Sequence, residues 1–160
     1  MREIRRISPS DWQVWRDVRL EALTEAPYAF GATLASWVDA EEARWRQRLE
    51  DEPCNVVAFA DDAPVGQASG THVDGNGAVE LISMWVAPAA RGTGVAEELI
   101  AAVVDSAVSQ GARRVDLAVK RTNARAIALY ERAGFVLTGE PANEPDELRM
   151  ARSCQEGSEA

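Results

Sequence analysis

The sequence predicts an α/β (α+β) fold: a mixed, mostly antiparallel sheet of six to seven strands with one central parallel βαβ unit, flanked by about four helices. Three observations carry this expectation. Residues 78–86, 94–110 and 114–120 read in order as strand, helix and strand, which implies a parallel pair joined by a right-handed crossover. Asp61-Asp62-Ala63 and Asp74-Gly75-Asn76-Gly77 separate apolar runs as hairpin connections do. A doubly wound fold would need several such crossovers, and a P-loop would need Gly-Lys-Ser/Thr after its glycines.

Taken in order, residues 2–7 form a first strand. Ser8-Pro9-Ser10-Asp11 starts a helix, with a serine cap, proline at the first helical position and an acid three residues after the cap. That helix runs to about Thr24, with Trp15, Val18 and Ala22 at helical spacing. A loop over 25–31 precedes a second helix from about Ser36 to Leu49, which carries Trp45 and Leu49 one turn apart. Strands 55–60 and 64–72 flank the first hairpin turn, and 78–86 follows the second. The helix 94–110 has Leu99, Val103 and Ala107 on one stripe and stops at Gly111. In 114–120, Val115, Leu117 and Val119 alternate as a half-buried strand should. Asn123 caps a helix through Ala133, closed by Gly134, and 135–138 with 147–151 supply a final hairpin. Residues 1–151 make a single domain and 152–160 a polar, flexible tail.

Composition narrows the function classes. At 160 residues and 46% hydrophobic content, the chain can bury one normal core. Its longest apolar run, 99–104, falls far short of the roughly 20 residues that span a bilayer, so no membrane partner is expected. Ser8, Pro9, Ser10 and Asp11 stand where a signal peptide needs an apolar core, so a cytoplasmic location is expected. Cys54 and Cys154 fit no metal or redox spacing and His72 is the single histidine; neither a disulfide framework nor a metal site is expected. A net charge of −9 argues against a nucleic-acid partner, which needs clustered positive charge. It agrees with a cationic second substrate such as an amine, and equally with plain solubility.

The chemistry concentrates between Val86 and Ala96. An apolar strand turns there into a helix start that carries Gly92 and Gly94. Amides at a helix N-terminus lack intrahelical partners and sit at the positive end of the macrodipole, so they bind phosphate. Glycine lets the anion approach the backbone, and Arg91 adds a side-chain charge. The bland alternative is a glycine-softened turn without a ligand.

Arg91, Gly94 and Ala96 are similar, in register, to the acetyl-CoA signature of the GNAT superfamily of N-acetyltransferases: Arg or Gln, two residues, Gly, one residue, then Gly or Ala. The segment 123–135, with Asn123, Ala126, Tyr130, Gly134 and Phe135, resembles the family's other recurrent motif. The resemblance covers about residues 2–150 and implies the GNAT fold. It also implies acetyl-CoA as co-substrate, with no metal. The implied cofactor-binding residues are Met84, Trp85 and Val86, then Arg91, Gly92, Thr93, Gly94, Val95 and Ala96 at the turn, and Asn123, Ala126 and Tyr130. Met84, Trp85 and Val86 act through backbone groups that pair with the pantetheine amides like an added strand.

In this family the tyrosine at the position of Tyr130 protonates the departing thiolate, a role its pKa of about 10 suits. The attacking amine must be neutral, yet with a pKa of about 10.4 it is roughly 99.9% protonated at neutral pH. Several family members place a base glutamate at the position of Glu80, and strand period two puts Glu80, Ile82, Met84 and Val86 on one face. The bland alternatives are a helix cap for Asn123, a core aromatic for Tyr130 and a solvent-facing carboxylate for Glu80. Tyr28 and Phe30 are candidates to line the pocket of a small-molecule or peptide amine acceptor, and Glu21, Glu25 or Glu41 to attract its charge. A homodimer is left open. Two functions follow: an acetyl-CoA-dependent N-acetyltransferase, or a non-catalytic acyl-CoA-binding or regulatory module.

Overall fold

The computed structural model describes residues 1–30 and 32–154. Strands β1 (Arg2–Arg6), β2 (Cys54–Ala60), β3 (Ala63–Gly70), β4 (Ala78–Val86), β5 (Arg114–Lys120), β6 (Val136–Leu137) and β7 (Glu147–Ser153) form one sheet in the order β1-β2-β3-β4-β5-β7-β6. Every neighbouring pair is antiparallel except β4 and β5, the expected parallel pair. Among the described residues five α-helices accompany the sheet: α1 (Trp12–Glu25), α2 (Leu34–Trp37), α3 (Glu42–Asp51), α4 (Val95–Ser109) and α5 (Ala124–Arg132). Among the described residues no helix is long and apolar enough to cross a membrane.

Strand alternation divides the core into two layers. Val56 and Ala58 of β2 point to one face, where they meet Leu99, Ile100 and Val103 of α4. Val57 and Phe59 point to the other, against Trp15, Val18 and Ala22 of α1 and Trp45 and Leu49 of α3. Two glycines in β3 bring α4 close. A Cβ at Gly66 would lie 2.9 Å from the Trp85 carbonyl oxygen and 3.0 Å from Leu99 Cδ1, and one at Gly70 would lie 3.0 Å from Val103 Cγ1.

Three features depart from the sequence reading. The helix expected over 36–49 is two helices. Thr33 Oγ1 caps α2 by accepting from the Ser36 amide at 3.2 Å, and Glu41, in extended backbone, starts α3. The chain folds back so that the Trp37 and Trp45 rings meet at 4.6 Å, and the Trp45 indole donates to the Ala40 carbonyl at 3.2 Å. The aromatic pair overrides a continuous helix.

Next, β7 runs through Ser153, two residues into the expected tail, because β5 still offers partners: Arg114 pairs with Ser153 and Val115 with Arg152. Residues 155–160 of that tail lie outside the described residues.

The third departure bears on the site. The β3–β4 register shifts between Gln67–Trp85 and Ser69–Ile82, and Ser83 has φ +56°. This bulge breaks the period of two. Glu80, Ile82 and Trp85 therefore share the α1–α3 face, whereas Met84 and Val86 pack toward α4. The single face expected for Glu80, Ile82, Met84 and Val86 does not exist.

Candidate active site

β4 and β5 are paired only at Ala78–Arg114, Val79–Val115 and Glu80–Asp116. Beyond Glu80 the strands part, and the backbone of β4 from 81 to 86 has no partner on the β5 side. A cavity of about 530 Å³ opens there, lined by Met84, Trp85, Val86, Arg91, Gly92, Ala96, Asn123, Ala126 and Tyr130. Nine residues expected at the cofactor site thus meet on one wall, and Tyr28 and Phe30 join them. Thr93, Gly94, Val95 and Glu80 do not line it.

Those four have other placements. Thr93 gives its carbonyl to Arg2 Nη1 at 2.7 Å, and Val95 is 1% exposed and anchors the first turn of α4 in the core. Gly94 caps α4 at φ +96°, a conformation that side chains disfavour, and a Cβ there would face the Arg2 guanidinium at 3.3 Å. Gly92, at φ +78° with nothing within 4 Å of a Cβ, is the glycine that leaves backbone open to the cavity.

Arg91 is held in place. Its Nε donates to the Val86 carbonyl at 3.0 Å and its Nη2 to Glu25 Oε1 at 2.8 Å, and the Trp85 indole donates to the same oxygen at 2.9 Å. The Trp85 hydrogen bond, followed by Arg91, holds the Glu25 carboxyl below its ordinary range. Glu25 therefore spans the last turn of α1 and the mouth of the cleft. Arg125, Arg132 and Glu97 also line the wall. Sequence reasoning missed both arginines. Their signal was available in the same helix as Tyr130, at i−5 and i+2, but helical arginines ordinarily read as solvated.

Asn123 caps α5, its Oδ1 accepting from the Ala126 amide at 3.2 Å, while its side chain also faces the cavity. Tyr130 is 8% exposed and meets Phe135 edge-on at 5.9 Å. Burial pushes its hydroxyl pKa well above the ordinary value, so it carries a proton throughout the neutral range. Cap and core readings thus hold for these residues together with cavity positions.

Glu80 sits at the point where the strands part, in another cluster. Arg149 Nη1 lies 3.9 Å from Glu80 Oε2 and its Nη2 lies 3.7 Å from Asp116 Oδ2. Burial raises the Glu80 pKa; Arg149 opposes this, and Asp116, Glu147 and Asp74 add to it.

A cavity beside an unpaired strand edge, lined by three arginines, the turn into α4 and a buried phenol, is the site of an acyltransferase. The chain belongs to the acetyltransferase (GNAT) family, whose model matches residues 12–135. An uncharacterized N-acetyltransferase of Mycobacterium tuberculosis is 35% identical over 109 residues, covering 66% of this chain and 69% of the relative. The fold is similar to that of the PaiA N-acetyltransferase of Thermoplasma acidophilum in complex with coenzyme A. There the TM-score is 0.76 at 18% identity, over 96% of this chain and 99% of that one. It is also similar to YncA of Salmonella typhimurium with its cofactor acetyl-CoA, at TM-score 0.76 and 20% identity over 98% and 95% of the two chains.

Proposed function

We infer that the protein transfers an acetyl group from acetyl-CoA to a primary amine, by direct attack through a tetrahedral intermediate. The observation that carries this is the unpaired edge of β4 facing a cavity that also holds Arg91 and the protonated Tyr130. The backbone groups of Met84 to Val86 that point away from β3, other than the Val86 carbonyl held by Arg91, match the alternating amides of a pantetheine arm as an added strand would. Open backbone at Gly92, the start of α4 and the guanidiniums of Arg91, Arg125 and Arg132 suit the phosphates. A Val86 amide near the thioester carbonyl would steady the oxyanion.

The amine nitrogen attacks the thioester carbonyl carbon, its proton leaves to a base, and collapse breaks the C–S bond. Tyr130 gives its proton to the departing sulfur and recovers one from solvent. Glu80 is our candidate base, working through water because it lies off the cavity wall, with a raised pKa that suits proton capture. Release of free thiol from acetyl-CoA with a panel of primary amines tests the reading. Amine-dependent release with matching N-acetyl product is expected. Coenzyme A binding without release for any amine would instead make the protein a binding module.

A further inference from the structure

The layer between α1, α3 and the sheet holds a group of polar atoms that the chemistry above does not use. Gln67 is 0% exposed, and among the described residues neither its Oε1 nor its Nε2 has a partner. Trp15 Nε1 and Arg19 Nη1 are likewise buried without partners. Arg19 lies one turn from Trp15 on α1 and stacks on Phe30 at 4.6 Å, a contact that serves the face of the guanidinium and leaves its edge donors unused. Arg48 of α3 lies over the Trp15 ring at 5.2 Å. It donates only to neutral oxygens: Asn55 Oδ1 at 3.0 Å, Ser69 Oγ at 3.0 Å and Ser83 Oγ, on the bulge, at 3.2 Å.

Two partly buried guanidiniums therefore share one layer, and among the described residues neither is in an ion pair. Asp51 and Glu52 favour the charge on Arg48 from the end of α3. Nothing comparable supports Arg19, whose pKa burial and then Arg48 push down to about 10. Partial desolvation of a charge without a counterion costs stability, and water would serve the donors without neutralising the charge.

This layer adjoins the cleft. Phe30, which covers Arg19, and Trp85, which pairs with Gln67 across the sheet, both line the cavity, and Ser83 precedes cavity-lining Met84.

We propose that Arg19, Arg48 and Gln67 form a subsite for a carboxylate on the acceptor, so that the amine acetylated is an amino acid or a close relative. This rests on the N-acetyltransferase reading and names its substrate class. A planar carboxylate matches the fork of donors on Arg19. Gln67 discriminates further, because it has both a donor and an acceptor to fill. Nε2 donates to the carboxylate and Oε1 accepts from the amine N–H. A simple amine leaves the donors unpaired, and an anion without an amine leaves Oε1 unpaired.

The test pairs α-amino acids with their primary amides, phenylalanine with phenylalaninamide and methionine with methioninamide, in thiol release at saturating acetyl-CoA. The acids should exceed the amides at least about tenfold in kcat/KM. Arg19→Gln should raise KM for the acids about ten- to a hundredfold, leave KM for the amides unchanged and change kcat little, the pattern of lost ground-state binding. The same variant should match or exceed the wild-type Tm without ligand, because it removes a partly desolvated charge that has no ion-pair partner among the described residues. A second readout needs no turnover: the N-acetyl amino acid, and not its amide, should raise the Tm of the coenzyme A-saturated wild type and fail to do so in Arg19→Gln. Equal use of acids and amides, or an acid preference that survives in Arg19→Gln, overturns the subsite. So does the absence of any Tm response to the N-acetyl amino acid, which would leave ordered water as the occupant. If no amine in the panel releases thiol yet the Tm response persists, the enzymatic reading fails and the carboxylate subsite stands.

Discussion

Replacing Tyr130 by phenylalanine removes one hydroxyl and keeps the ring. The ring is 8% exposed, its edge contact with Phe135 is retained, and among the described residues its hydroxyl makes no hydrogen bond within the protein. Folding therefore loses no internal bond, and Tm below pH 9 should stay within a few degrees of the wild type. Catalysis loses its proton donor. General acid catalysis is worth about a hundred- to ten-thousandfold, or about 3–5 kcal/mol of barrier, and kcat should fall within that range while the Kd for coenzyme A holds.

Alkali supplies a second signature. The folded pKa of Tyr130 is raised above the unfolded value of about 10, so its contribution to stability is intact below that value and lost as pH rises from there through the folded pKa. Wild-type Tm should fall in this range, and Tyr130→Phe should remove that part of the fall. Thiol-release kinetics, calorimetric titration with coenzyme A and thermal melts between pH 7 and 11 measure all three. A kcat within twofold of wild type, with chemistry rate-limiting, would refute the proton-donor role and leave Tyr130 a packing residue.

Glu80→Gln should lower kcat at pH 7 and recover part of the loss as pH rises and more acceptor amine becomes neutral; a raised KM with unchanged kcat would instead assign Glu80 to attracting the acceptor. Arg91→Met should weaken coenzyme A binding by about ten- to a hundredfold, since a hydrogen bond to a charged group is worth about 1.5–3 kcal/mol, and should change stability by less than about 1 kcal/mol because its pair with Glu25 is partly exposed. An unchanged Kd in calorimetry would remove Arg91 from the phosphate site. Gly66→Ala should destabilise by about 1–3 kcal/mol through overpacking against the Trp85 carbonyl and Leu99, read in denaturant melts. Wild-type stability in that variant would show that α4 moves away from β3 at no cost.

Strands with clean alternation were legible to the residue. β5 occupies 114–120 as expected, because Val115, Leu117 and Val119 must be buried together, and β4 keeps its expected bounds of 78–86 although its alternation breaks at Ser83. The cavity wall was legible wherever backbone or a turn glycine supplies the chemistry. The bulge was not, since Ser83 adopts φ +56° with none of the glycine or asparagine that usually marks such a position. Missing it placed Glu80 on the wrong face. The break between α2 and α3 depends on Trp37 meeting Trp45, a contact made only after the chain turns. Arg19 and Arg48 were invisible for a related reason: an arginine on an amphipathic helix reads as solvated until its neighbours are known.

The short seam between β4 and β5 also shapes how the chain folds and opens. Before it, β1 pairs with β2 across the helical segment, and β2, β3 and β4 pair each with the next in a meander whose loops are short and inexpensive to close. After it, β5, β7 and β6 make a second small sheet of their own. Three paired backbone positions and the shared core beneath α4 join the two. The protein is in this sense two lobes meeting at Glu80, and within β4 the amides of 81–86 that point away from β3 should exchange with solvent sooner than those paired with it. A ligand lying between the lobes acts as a staple as well as a substrate: at a hundred times its Kd it would add about 2.7 kcal/mol to the stability of the closed form.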